Sequence, residues 1–98
     1  MKLKIHSIHF DADQKLEAFI NERVNKLDQY FDKIIEGEVF LRLDKADDKK
    51  NKITEIKLNV PGGELFVKKQ TKSFEESTDV AVEALRRQVR KFKEKARL

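Results

Sequence analysis

The chain has 98 residues, 22 Lys and Arg against 18 Asp and Glu, and a net charge of +4 with a pI near 9.3, so one charged domain with an anionic partner is expected. It has no cysteine, which excludes disulfides, a thiol nucleophile and a Cys-type zinc site. The opening MKLKIHSIHF holds no apolar leader and no apolar run nears membrane-spanning length, so a cytoplasmic protein without membrane contact is expected.

Lys2 to Phe10 predicts a strand, with Leu3 and Ile5 alternating against Lys2, Lys4 and His6. The apolar phase then switches to Ile8 and Phe10, which predicts a bulge or the end of pairing near Ser7. His6 and His9, three apart on a strand, face opposite sides and do not form a metal pair. A helix follows, capped by Asp11 with Gln14 or by Asp13 alone. Its buried stripe is read as Leu16, Phe19, Ile20, Val24, Leu27, Tyr30, Phe31 and Ile34. Arg23 borders that stripe, Lys15, Lys26 and Lys33 line one flank, and Gly37 closes the segment.

Three strands come next. Val39, Leu41 and Leu43 point to one face, then Lys45 to Lys52 (KADDKKNK) forms an exposed hairpin loop. Ile56, Leu58 and Val60 resume the inward phase, and Pro61-Gly62-Gly63 turns the chain into Leu65 and Val67. Phe40 and Phe66 fall on the opposite sheet face, where they shield the open side or offer a weak contact surface.

Ser73 to Leu98 predicts one long helix. Phe74, Thr78, Ala81, Val82, Leu85, Val89, Phe92 and Ala96 share a face, and Ser73 with Glu76 makes a capping box. From Arg86 onward the outward side is basic: Arg86, Arg87, Arg90, Lys91, Lys93, Lys95 and Arg97 stand against Glu94 alone. Acidic residues early and basic residues late complement the helix dipole. A dipole needs cations only in the last turn, however, and this run covers more than three turns, which favours a polyanion partner.

The order strand, helix, three strands, helix predicts an α+β fold. Both helices have one apolar stripe, so they lie side by side on one face of a four-stranded mixed sheet, a two-layer β-α-β-β-β-α sandwich. Strands 1 and 2 are parallel through a right-handed crossover, and strands 2 to 4 form an antiparallel meander. No nucleophile with a nearby base, phosphate-cradling glycine loop or metal cluster is spaced for chemistry, so neither catalysis nor a cofactor is expected.

Lys26-Leu27-Asp28-Gln29-Tyr30-Phe31-Asp32-Lys33-Ile34 resembles the first-helix signature of the bacterial ribosome hibernation-promoting factor and ribosome-associated inhibitor family, also called sigma-54 modulation proteins. Gly62-Gly63-Glu64-Leu65, Asp79, Leu85, Arg87-Gln88-Val89 and Lys91-Phe92-Lys93-Glu94-Lys95 fall at the spacing of its second signature. The likeness runs from Leu3 to Lys95. It implies a fold similar to double-stranded-RNA-binding domains and a ribosome hibernation factor that inhibits translation. Such a factor binds the small ribosomal subunit at the decoding centre and blocks the channel of messenger RNA and of A- and P-site transfer RNA.

By position, the resemblance implies that Arg23, Lys26 and Lys33 of the first helix and Arg87, Lys91, Lys93 and Lys95 of the second meet ribosomal RNA. The charge stripe itself adds Arg86, Arg90 and Arg97. The expected short form is a single ribosome-binding domain, residues 1–98, without the C-terminal dimerisation domain of longer members, and monomeric with no DNA partner. Ser73-Phe74-Glu75 replaces a frequent aspartate and tyrosine, Ala84 a frequent lysine, and Ser7 and Thr71 frequent glycines. A protein-interaction module regulating a sigma factor and a general structured-RNA binder are the alternatives.

Overall fold

Alternating apolar residues build the sheet and two capped amphipathic segments cover it. The computed structural model describes residues 1–46 and 48–96. In chain order it contains β1 (Lys2–Ser7), α1 (Gln14–Asn25), a 3-10 turn (Lys26–Gln29), β2 (Glu36–Leu43), β3 (Lys52–Val60), β4 (Gly63–Thr71) and α2 (Phe74–Ala96). The sheet order is β1-β2-β3-β4, with β1 parallel to β2 and the other pairs antiparallel, the α+β arrangement expected.

Register places Ile5, Val39, Ile56 and Val67 in one row across the sheet, and Leu3, Gly37, Leu58 and Leu65 in the next. Ile20, Val24 and Leu27 from the first helical segment and Ala81, Leu85 and Val89 from α2 close over these rows and are fully buried. α2 packs on β3 and β4, while α1 packs on α2 and β1. The helices run the same way, since Phe10 before α1 meets Phe74 at the start of α2, and Phe31 after the 3-10 turn meets Phe92 near the end of α2.

Local chemistry sets the boundaries. The Asp13 carboxylate accepts the Leu16 N–H at 2.8 Å and starts α1. The Ser73 hydroxyl accepts the Glu76 N–H at 3.1 Å and starts α2, but the rest of the expected capping box is replaced: the Ser73 N–H donates to Thr71 Oγ1 at 3.4 Å. β1 ends at Ser7, where the phase switch predicted, and His9 takes a φ of 64° just beyond it. Pro61-Gly62 joins β3 to β4, and the φ of 82° at Gly62 is one that glycine adopts without a Cβ penalty.

Four expectations are corrected. The first helix stops at Asn25 rather than running toward Ile34, because the chain must turn back to lay β2 beside β1. The turn closes as the Tyr30 and Phe31 N–H groups both donate to the Leu27 carbonyl, at 3.0 and 3.1 Å. Tyr30 therefore leaves the buried stripe and is 45% exposed. Gly37 is a buried core-facing position inside β2, not a helix terminator: a Cβ there would lie 3.1 Å from Leu3, Leu58 and Met1 side-chain atoms. Leu43, expected inward, is 44% exposed at the end of β2, beyond the cover of the helices.

Candidate RNA interface

α2 continues past the end of α1, and this second half carries the basic run. Successive residues turn about 100° around a helix axis. With Leu85 and Val89 on the core, Arg86, Arg90 and Lys93 fall on the flank toward Tyr30, Arg87 and Lys91 on the crest, and Gln88 and Lys95 on the flank toward β4. Two contacts fix this rotation: the Gln88 amide donates to the Phe66 carbonyl at 3.0 Å, and Lys93 Nζ to the Tyr30 carbonyl at 2.7 Å.

Side chains predicted as one set separate into two kinds. Arg87, Arg90, Lys91 and Lys95 are exposed and form no ion pair among the described residues. Arg86 is committed to Glu83 at 2.7 Å, with its guanidinium 5.6 Å from the Tyr30 ring centre. Lys93 caps the turn at Tyr30, which leaves its ammonium two further donors. Arg97 lies outside the described residues.

The first-helix cations sit differently from the expectation. Arg23 ties the helices together: Nε lies 2.9 Å from Asp79, and the guanidinium is 4.5 Å from the Phe19 ring centre. Lys26 stands in the 3-10 turn, 3.9 Å from Glu22, and Lys33 is exposed in the turn before β2, so neither is on α1 as predicted. Sequence reasoning missed the exposure of Tyr30. Its helical spacing matched a core position, and no local signal marks the 3-10 turn that swings it outward.

The opposite sheet face carries paired charges and a ring stack, with Lys2, Lys4 and Lys68 exposed beside them. Glu38 lies 3.0 Å from His6 and 3.7 Å from Lys57, Arg42 pairs with Glu55, and Phe40 stacks on His6 at 4.9 Å. Phe66 is half exposed near the β4 edge. The departure at Phe74 is turned inward, where the ring is buried and stacks on Phe10 at 5.2 Å. Among the described residues no cluster of His, Cys, Asp and Glu is placed to hold a metal ion, and no helix is long and apolar enough to cross a membrane.

A mixed four-stranded sheet backed by two helices, the second basic along its free half, defines the class. The chain belongs to the Sigma 54 modulation protein / S30EA ribosomal protein family, whose model matches residues 3–97. It is similar to the ribosome hibernation promoting factor of Pseudomonas putida, 28% identical over 95 residues that cover 97% of this chain and 89% of that one. The ribosome hibernation promoting factor of Escherichia coli K12 is likewise 28% identical over 95 residues and is covered to 96%. The ribosome hibernation promotion factor of Deinococcus radiodurans is 30% identical over 84 residues, 85% of this chain and 44% of that protein.

Two solved structures share the fold. The N-terminal domain of Thermus thermophilus Protein Y superposes with a TM-score of 0.81 at 25% identity, over 94% of this chain and 99% of that one. The ribosomal subunit interface protein of Coxiella burnetii superposes with a TM-score of 0.84 at 16% identity, over 95% and 98%.

Proposed function

We propose that this chain is a ribosome hibernation factor that binds the small ribosomal subunit through ribosomal RNA and acts by occlusion, without catalysis. Residues 1–98 act as one binding domain. It seats at the decoding centre, where its bulk fills the channel taken by messenger RNA and by A- and P-site transfer RNA. The observation that carries this reading is the row of exposed, unpaired Arg87, Arg90, Lys91 and Lys95 on the free half of α2. Folded RNA presents mostly phosphate and 2′-hydroxyl, and side chains not held in an ion pair with a neighbouring carboxylate meet phosphate at least cost. The curated relatives named ribosome hibernation factors support the same reading.

Lys26 and Lys33 are proposed to extend the contact from the turn beside α2. Lys93 contributes its remaining donors and Arg86 its exposed edge. Arg23 acts mainly by holding α1 to α2. The test is cosedimentation of purified small subunits with wild type and with an R87E/R90E/K91E variant whose circular dichroism matches wild type. The variant is expected to lose binding by well over tenfold, since three attractive contacts become repulsive. Undiminished cosedimentation would overturn the assignment of the interface to α2.

A further inference from the structure

Between the free half of α2 and the turn that ends the first helical segment lies a cleft of about 200 Å³, lined by Tyr30, Arg86, Val89, Arg90, Lys93 and Glu94. Its side chains are unusual for a solvated surface. Tyr30 is 45% exposed, and the planar guanidinium of Arg86 leans over its ring. Arg86 Nε is buried and has no partner among the described residues, while the other end of the same guanidinium is held by Glu83. A buried donor left unpaired is costly. Three cations line the space against one carboxylate, Glu94.

Size narrows the occupant. Sites that enclose a drug-sized ligand run to about 300–1,000 Å³, so this cleft accepts roughly one planar ring. An aromatic face beside a guanidinium plane suits an unstacked nucleobase, which stacks on tyrosine and arginine alike and offers acceptor atoms along its edges. The phosphate of the same nucleotide would meet Arg90 and Lys93, which line the same cleft.

We propose that the Tyr30–Arg86 cleft is a subsite for one unpaired nucleotide, the base packed against the exposed Tyr30 ring and its phosphate held by Arg90 and Lys93. The subsite rests on the RNA-binding reading of α2 and deepens it. The nucleotide comes either from an unpaired position in RNA or from a free nucleoside phosphate, and the two sources share the same chemistry.

The chain contains a single tyrosine and no tryptophan, so 3-fluorotyrosine places one ¹⁹F reporter at Tyr30. Titration with adenosine monophosphate, a mixed-sequence single-stranded hexanucleotide and ribose 5-phosphate is expected to move the resonance with the first two and not with the third. Tighter saturation by the hexanucleotide assigns the source to RNA, and tighter saturation by the mononucleotide assigns it to a free nucleotide. Tyr30→Ala is expected to weaken hexanucleotide binding by about tenfold, within the range for base–aromatic stacking, while Tyr30→Phe keeps it. An unmoved resonance with both base-containing probes, or equal movement with ribose 5-phosphate, overturns the subsite. Small-subunit cosedimentation keeps the two readings apart. Where the hexanucleotide saturates the more tightly, a Y30A variant that binds as wild type while R87E/R90E/K91E does not refutes the RNA subsite alone, and retained binding by the triple variant refutes the α2 interface.

Discussion

Arg86 sits between Glu83, three residues earlier on α2, and the ring of Tyr30. Its hydrogen bond holds the Glu83 carboxyl below the ordinary carboxylate range; desolvation opposes this, and the charges of Arg86, Arg87 and Arg90 add to it. A lowered carboxyl stabilises the fold above its ordinary unfolded value, and that contribution is lost as pH falls through the lowered folded value. Carboxyl ¹³C titration is expected to place Glu83 below a free glutamate, and Arg86→Gln to return it upward. A wild-type Glu83 titrating at the ordinary value would show that the pair does not persist in solution. Arg23 presents the opposite case, because its partner Asp79 lies on another helix and so orders tertiary structure instead of one helix face.

At the scale of elements, β2 has no spare room at Gly37. Gly37 faces Leu58 on β3 and Leu3 on β1, and the Met1 side chain closes over it. Gly37→Val would drive three carbons into space that a single Cβ already crowds at 3.1 Å. Overpacking of this kind costs about 1–3 kcal/mol, so the urea midpoint should fall with an unchanged slope. A midpoint equal to wild type would mean that the Met1 and Leu3 ends yield freely. A second buried link joins sheet and helix. The Ser77 hydroxyl donates to the Phe74 carbonyl at 3.2 Å and lies 2.6 Å from Thr54 Oγ1, which satisfies two polar side chains inside the core.

For the whole molecule, what counts is how many cations remain after internal pairing. The net charge of +4 understates the interface, because residues 86–95 carry six cations against Glu94 alone while most carboxylates lie elsewhere in the chain. Counting Arg87, Arg90, Lys91 and Lys95 alone as phosphate contacts, the salt slope of small-subunit binding should be about −3 on a log–log plot. That corresponds to a loss of about 50- to 150-fold between roughly 50 and 200 mM salt. Lys91→Ala should make the slope shallower by about one unit, measured by filter binding across that range. A slope near zero would indicate that apolar contacts, not phosphates, dominate.

The period of the apolar residues determined much of this molecule without reference to its neighbours. Alternation marked four strands, three- and four-residue steps marked α2, and Asp13, Ser73 and Pro61-Gly62 marked where elements begin or turn. These are local effects, legible because each depends on residues a few positions apart. The charge of the α2 run was equally visible, since it is a property of consecutive residues. Only the tertiary structure decided where α1 gives way to a 3-10 turn, because that depends on returning the chain to β1 and not on helix period. The same turn exposed Tyr30, placed Lys26 and Lys33 off α1, and set Gly37 in the core. Long-range pairing then divided chemically identical cations, tying Arg23 to Asp79 while leaving Arg87 and Lys91 unpaired, because a side chain's freedom is fixed by what folds against it.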